Sequence, residues 1–177
     1  MKLMIASDIH GSAYYCRLLL QRFGEEGADK LLLLGDLLYH GARNPLPKEY
    51  STLEVAAMLN GIKESILCVK GNCDSEVDSM VLEFPVTADF ALLDLNGRTA
   101  VAAHGHKQYA LLKRGDILLN GHFHVPAFEE RENYTYVNCG SVSIPKENSP
   151  HSYLIYRDGE LTWKDAETGI PYKTAKI

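Results

Sequence analysis

The sequence predicts an α/β fold built on a mixed sheet or two stacked sheets. Three observations carry that prediction. Strand and helix signals alternate through the first half of the chain, hairpin signals dominate the second half, and five apolar runs each end on a glycine beside Asp, His or Asn.

The first apolar run, KLMIAS, is a short buried strand. Ser12 then stands where an N-cap belongs, opening a helix to about Phe23 with Leu18, Leu19 and Phe23 inward. LLLLGD is a second strand. STLEVAAMLNGIKES follows as a second helix, with Ser51 and Glu54 spaced as a capping box. ILCV is the third strand, and strand–helix–strand–helix–strand implies a parallel arrangement with right-handed crossovers. FALLDL and RTAVAAHGH flank Asn96-Gly97, a pair suited to a type I′ hairpin turn. DILLNGHFH reads as another strand, while AFEERENYTYVN and SYLIYRDGELTWK read as hairpins turning near Glu132-Asn133 and at Asp158-Gly159. No repeat, low-complexity tract or linker interrupts the 177 residues, so a single domain over 1–177 is expected.

Composition narrows the class of function. The hydrophobic fraction of 46% and charged fraction of 23% are ordinary for a globular protein. A net charge of −5 argues against a nucleic-acid polymer as partner, since phosphate backbones need a basic surface. Cys16, Cys68, Cys73 and Cys139 form no CxxC pair, which suits reduced thiols in a cytoplasmic protein. The apolar start is too short for a signal peptide, and no run reaches the length of a membrane span.

The strand ends carry the chemistry. They deliver Asp8-Ile9-His10-Gly11, Gly35-Asp36, Gly71-Asn72-Cys73-Asp74, His104-Gly105-His106 and Gly121-His122-Phe123-His124. In open α/β sheets, ligands gather outside the carboxyl ends of the strands. Residues two apart in extended chain share a face at a spacing of ~6.6 Å, so Asp8 with His10, and His122 with His124, can each aim two ligands into one cavity. Neighbouring glycines let the backbone turn close to an ion. Imidazole, carboxylate and amide oxygen together suit Mn, Fe or Zn rather than Ca. A lone DIHG or GD is more often a plain turn; the ordered series of five is the signal. Residue spacing points to one metal crevice and does not divide its ligands between ions.

The blocks DIHG, GD, GNCD, HGH and GHFH resemble the signature of calcineurin-like metallophosphoesterases. SDIHGS, HGARNPLP, KGNCDSEVD and NCGSVSIPK are similar to segments of the small YfcE-like bacterial phosphodiesterases within that superfamily. The resemblance covers nearly the whole chain. It implies a four-layer α/β/β/α sandwich with mixed sheets and two divalent metal ions, Mn2+ foremost, with Fe, Zn or Ni as alternatives. It assigns Asp8, His10, Asp36 and His124 to one metal, and Asn72, His104 and His122 to a second, with Asp36 bridging. The implied reaction is hydrolysis of a small phosphodiester by a metal-activated water, with no membrane and no nucleic-acid polymer involved. A homo-oligomer is compatible with this.

The resemblance makes Asn72, Cys73 and Asp36 the candidate catalytic positions. Cys73 stands where most of the superfamily has a His that assists the leaving group. Asn72, Arg43 and His106 are candidate substrate contacts, with His40 beside Arg43 at the entrance and Arg43 gripping a phosphate oxygen. The Cys73 side chain is expected to point away from the metal ligands. Cys139 is expected to pack, NCGSVS to shape a turn beneath the metals, His151 to be a surface residue, and Tyr14 with Tyr15 to pack on the helix or at an interface. The segment Lys107–Asp116 is short beside family members. The rival readings are a non-catalytic scaffold of the same fold, a phosphomonoesterase and a nuclease. A scaffold can lose the metal ligands, whereas all seven stand here. The missing His and the acidic charge count against the other two.

Overall fold

The computed structural model describes residues 1–107 and 112–177. The first half runs β1 (Lys2–Ala6), α1 (Ala13–Glu26), β2 (Lys30–Leu33), α2 (Thr52–Asn60) and β3 (Ile66–Cys68). The second half contributes β4 (Phe90–Leu95), β5 (Arg98–Ala103), β6 (Asp116–Asn120), β7 (Ala127–Glu130), β8 (Tyr134–Asn138), β9 (Ser152–Arg157), β10 (Glu160–Asp165) and β11 (Pro171–Lys176). They form two mixed sheets, one ordered β11-β10-β9-β1-β2-β3 and the other β4-β5-β6-β8-β7. β1, β2 and β3 pair in parallel, as do β5 with β6 and β6 with β8. These parallel sets bring the carboxyl ends of their strands to shared edges, where the motif residues follow.

The strand pattern explains the layers. Met4, Ala6, Leu31 and Leu33 face one side and pack under α1 and α2 with Leu19, Val55 and Leu59. The alternate residues Leu3, Ile5, Leu32 and Leu34 face the second sheet, meeting Ala100, Ala102, Ile117, Leu119 and Val137. A strand buried on both faces reads as a continuous apolar run, which is why KLMIA and LLLL lack alternation. Trp163 is fully buried between the sheets, and its Nε1 donates to the Asn138 carbonyl at 2.8 Å. Among the described residues both α-helices lie on the six-stranded sheet, and none lies on the outer face of the five-stranded one. No helix among them is long and apolar enough to cross a membrane.

Local chemistry decides most element ends. Ser12 caps α1, its Oγ accepting from the Tyr15 N–H, but the helix runs past Phe23 to Glu26. It stops where Gly27 turns left-handed at φ 56°. Ser51 stands at the N-cap of α2, yet the expected capping box is not formed. The Ser51 N–H already donates to the Gly11 carbonyl, so Glu54 has no free amide to reach and lies 3.9 Å from Arg17 instead. Asn96 and Gly97 both have positive φ, as do Asp158 and Gly159, giving the two tight hairpins β4–β5 and β9–β10. β11 was not signalled by sequence: it opens on Pro171, a residue tolerated at the first position of an edge strand. The short Lys107–Asp116 segment lies in part, at 108–111, outside the described residues.

Candidate metal centre

The loops after β1, β2 and β3 are laced together by backbone hydrogen bonds. Asp8 N donates to Gly35 O at 3.1 Å, His10 N to Asp36 O at 2.9 Å, and Gly11 N to Leu37 O at 2.8 Å. Asp74 is the knot between the second and third loops. Its carboxylate accepts from the backbone of Asp36 (2.8 Å), Leu37 (2.8 Å) and Gly71 (2.7 Å). Burial pushes the Asp74 carboxyl up, and those three N–H groups hold it back only in part. Sequence reading noted this carboxylate without giving it a task. Its place three residues after Gly71, the spacing that lets a side chain close a turn on its own backbone, is the available signal.

Glycine is required where these loops touch. A Cβ on Gly71 would lie 2.1 Å from Asp36 Oδ1, and one on Gly121 would lie 1.9 Å from Ser7 Oγ. The carboxylates can therefore approach backbone that any other residue would block. From the far side, Ser141 and Ser143 donate to the Asp8 carbonyl at 2.9 and 3.0 Å, so the NCGSVS turn does lie beneath the cluster.

The side chains converge in two groups. Asp8 Oδ1 lies 3.2 Å from His124 Nε2 and 3.6 Å from His10 Nε2, and those two nitrogens are 3.4 Å apart. His104 Nε2 lies 3.1 Å from Asn72 Oδ1, 3.2 Å from His122 Nδ1 and 3.3 Å from Asp36 Oδ2. Asp36 Oδ2 is also 3.7 Å from His10 Nε2, so its carboxylate faces both groups. All seven residues singled out from the strand ends thus meet in one place. Asp8, His10, Asp36, His104 and His124 are buried there, His122 is half-buried and Asn72 is exposed.

Three imidazoles are held from behind. Nδ1 of His10, His104 and His124 meets the carbonyl of Tyr39 (2.8 Å), Leu34 (2.6 Å) and Ile144 (2.6 Å). A carbonyl only accepts, so each Nδ1 carries a hydrogen and each neutral ring turns an Nε2 lone pair into the cluster. Asp8 Oδ2 accepts from His122 N at 2.9 Å, but the fully buried Oδ1 has no hydrogen bond of sound direction. Converging lone pairs around an unsatisfied carboxylate oxygen call for a cation.

Protons meet that demand in the metal-free protein. Burial alone would lower His104, but Asp36 and Asp8 outweigh it and raise its pKa to about 9. His10 is raised too, the Asp8 carboxylate and the Tyr39 carbonyl overcoming burial. Burial pushes Asp8 and Asp36 up, yet facing histidines hold both below the usual carboxylate range. His122 is lowered by burial and by its neighbour His104.

Backbone strain marks the same residues. Asp8, His10, Asp36, His122 and His124 all have φ between 50° and 65°. Left-handed backbone costs a non-glycine residue about 1–2 kcal/mol, and such strain persists where the surroundings over-determine it.

A cleft of about 540 Å³ opens above the cluster, reaching His10, Asp36, Asn72, Cys73, His122 and His124. Arg43 lines it, as do Tyr39, Phe123 and Lys146, which sequence reading had not singled out. His106 and His40 are not among the lining residues. The His106 ring sits behind His104 and His122, at 5.5 and 6.2 Å, and His40 packs edge-on against Tyr39 and Tyr50.

The Cys73 side chain does not point away from the ligands. Its Sγ lies within 4.8 Å of ligand atoms of both His10 and Asp36, because Cys73 N is drawn to Asp36 Oδ1 at 2.8 Å. Burial and the Asp36 carboxylate push its thiol up to about 12. Cys139 is buried, in keeping with packing. Tyr15 packs in the core as expected. His151 is not a simple surface residue: it is half-buried, stacked 3.9 Å over Tyr15, with Nδ1 2.8 Å from the Val142 carbonyl.

The chain is similar to known proteins in sequence and in fold. The model of the calcineurin-like phosphoesterase superfamily domain matches residues 1–158. Phosphodiesterase YfcE of Escherichia coli K12 is 45% identical over 157 residues, covering 86% of this chain and 85% of YfcE. A probable metallophosphoesterase of Bacillus subtilis, YsnB, is 27% identical over 166 residues, covering 88% of this chain and 83% of YsnB. The solved structure of the E. coli phosphoesterase Yfce superposes with a TM-score of 0.95 at 39% identity, over 100% of both chains. Vps29 of Entamoeba histolytica, solved with Zn2+, shares the fold at a TM-score of 0.66 and 18% identity, over 100% of this chain and 98% of Vps29. The motif spacing, the two sheets and the sequence identity agree: this chain belongs to the calcineurin-like phosphoesterase superfamily.

Proposed function

We propose that the protein is a metal-dependent phosphodiesterase acting on small phosphodiesters, working as one domain over residues 1–177. The observation that carries this reading is the unsatisfied Asp8 Oδ1 facing two Nε2 lone-pair positions at the floor of the cleft. Asp8, His10, Asp36 and His124 would hold one divalent ion, and Asp36, Asn72, His104 and His122 a second, with Asp36 shared. Mn2+ is our first choice, and Fe, Zn or Ni suit the same nitrogen and oxygen donors. Such ions lower the pKa of a water and neutralise phosphoryl oxygens when bound.

The chain's own groups do the rest. The carbonyls of Tyr39, Leu34 and Ile144 fix the imidazole tautomers, so donor atoms are aimed before any ligand arrives. Asp74 sets the spacing between the Asp36 and Asn72 loops. Asn72, exposed at the mouth, can meet substrate as well as metal. Arg43 lines the cleft and supplies a guanidinium fork suited to an oxyanion of the substrate. The four free cysteines suit a cytoplasmic location.

The test is metal removal and restoration. Chelator-treated protein should lose hydrolysis of bis(p-nitrophenyl) phosphate, and Mn2+ should restore it. Metal-free protein that turns over at the untreated rate would end this reading.

A further inference from the structure

Two cations line the cleft without an anionic partner. Among the described residues, neither Arg43 nor Lys146 takes part in an ion pair, in a chain of net charge −5. Lys146 is also held in place from behind. Its N–H donates to the His124 carbonyl at 3.1 Å, and its carbonyl accepts from Ser149 N (3.0 Å) and Ser149 Oγ (2.6 Å). The next two residues, Glu147 and Asn148, are both left-handed, at φ 54° and 56°. Two consecutive non-glycine residues in that region mark a turn fixed by its surroundings. The Ile144 carbonyl in the same turn orients His124. One built turn therefore aims a proposed metal ligand and carries a lysine to the cleft.

Charge balance bears on what that lysine could meet. A diester carries one negative charge at its scissile phosphorus. Two divalent ions, held by Asp8 and Asp36 as proposed above, would leave the floor of the cleft with a formal surplus of positive charge already sufficient for it. Arg43 and Lys146 remain over. Both are exposed, on the loops following β2 and β8, and line the same cleft as the ligand cluster.

We propose that Lys146, acting with Arg43, recognises a second oxyanion on the substrate, so that preferred diesters carry a further phosphate-type or carboxylate group beside the scissile phosphate. This rests on the phosphodiesterase reading and adds specificity to it. Lys146 is thus a specificity-determining residue that leaves the metals and the reacting bond to other groups.

The experiment uses the Mn2+-loaded protein and three substrates with one leaving group: propyl, 2-carboxyethyl and 2-phosphonoethyl p-nitrophenyl phosphate. The wild-type kcat/KM ratio of charged to neutral substrate should be about tenfold, the size of one charge-assisted hydrogen bond. It should fall toward one in Lys146→Ala, fall below one in Lys146→Glu, and recover in Lys146→Arg. The carboxyethyl and phosphonoethyl arms identify which oxyanion is read. Calorimetric binding of 3-phosphonopropionate against propylphosphonate gives a readout independent of turnover, and Lys146→Glu should abolish any preference for the first. A wild-type ratio near one, or a preference that survives Lys146→Glu, overturns the inference while leaving the diesterase reading in place. If no substrate is hydrolysed, that reading fails, and the calorimetric difference alone decides whether Lys146 selects a second oxyanion.

Discussion

The two ends of the strands handle left-handed backbone in different ways. At one end it falls on Asn96-Gly97 and Asp158-Gly159, the hairpin turns β4–β5 and β9–β10. Asn, Asp and Gly tolerate it, and it closes a two-residue turn at little cost. At the other end it falls on Asp8, His10, Asp36, His122 and His124. No hairpin demands it there, and histidine gains nothing from it locally. The first end obeys its own sequence, whereas the second obeys what its side chains must reach. Strain that serves no turn, on residues whose donor atoms converge, is the structural mark of a site.

The comparison breaks most visibly at Asp36, whose carboxylate faces both side-chain groups. Asp36→Asn should abolish turnover and lower bound metal toward one equivalent or less. His124→Ala, which touches only one group, should keep more of its metal. Two full equivalents in Asp36→Asn, measured by elemental analysis, would remove the bridging assignment.

Asp74 tests whether the ligand end depends on support from behind. Asp74→Asn keeps the shape but swaps one acceptor oxygen for a donor that faces a backbone N–H. Displacing such a supporting group typically costs ~10–100-fold in metal affinity. Fold stability should change less, because losing an unfavourably buried charge offsets the lost hydrogen bond. Unchanged metal affinity by calorimetry would mean the two loops hold their spacing without Asp74.

The pH response should separate metal-free from metal-loaded protein. His104 is raised in the fold to about 9, above the ordinary imidazole value of about 6.5 in the unfolded chain. Its contribution to stability is therefore full below about 6.5 and is lost as pH rises through about 9. Metal-free protein should lose thermal stability across that window. Metal-loaded protein should not, because the proton has been displaced. Parallel melting curves for the two forms would contradict the assignment of His104 as a ligand.

Glycines sharpen the contrast. Nothing lies within 4 Å of a Cβ built on Gly97, so Gly97→Ala should cost only the conformational penalty, about 1 kcal/mol, with activity intact. Gly71→Ala would drive a methyl into Asp36, and should lose activity with the Asp36→Asn severity. Equal effects at the two positions would erase the distinction between the ends.

Legibility in the sequence follows the same division. Asn96-Gly97, Asp158-Gly159, Ser12 and the apolar strands were readable because neighbours in sequence supply the physics. Asp8, His10, Asp36 and the other proposed ligands were readable as a pattern, since each follows an apolar strand whose end the fold brings to a shared edge. Dividing those ligands between two ions needed family resemblance. What stayed hidden depends on contacts between distant segments. The Ser51 box failed because Gly11, forty residues earlier, had taken its amide. The Asp74 knot joins three backbone groups from two loops, and Lys146 meets the cleft through a turn pinned to His124. β11 is held by pairing with β10 rather than by any pattern of its own.

Among the residues at the cleft floor, Cys73 should show the smallest effect, although its Sγ lies within 4.8 Å of ligand atoms of His10 and Asp36. Proximity suggests a nucleophile, a ligand or an acid, and the thiol is poorly suited to each. The proposed metals already supply a nucleophile and Asn72 takes the neighbouring ligand place, while in the metal-free protein burial and the Asp36 carboxylate push the thiol up to about 12. A general acid works best with a pKa near the operating pH, so a group this weak gives little proton to a departing oxygen. Aryl leaving groups need no such help, and alkyl ones do. Cys73→Ala should therefore hold its rate on aryl diesters to within about threefold, well short of the ~10²–10⁴-fold that general acid catalysis supplies. Cys73→His, if the ring fits under Gly41, should raise rates on poor leaving groups relative to aryl ones. A leaving-group series on wild type and both variants decides the matter. A large, uniform loss in Cys73→Ala with metal content intact would show that the thiol takes part in the reaction and that its neighbourhood, rather than its pKa, governs what it does.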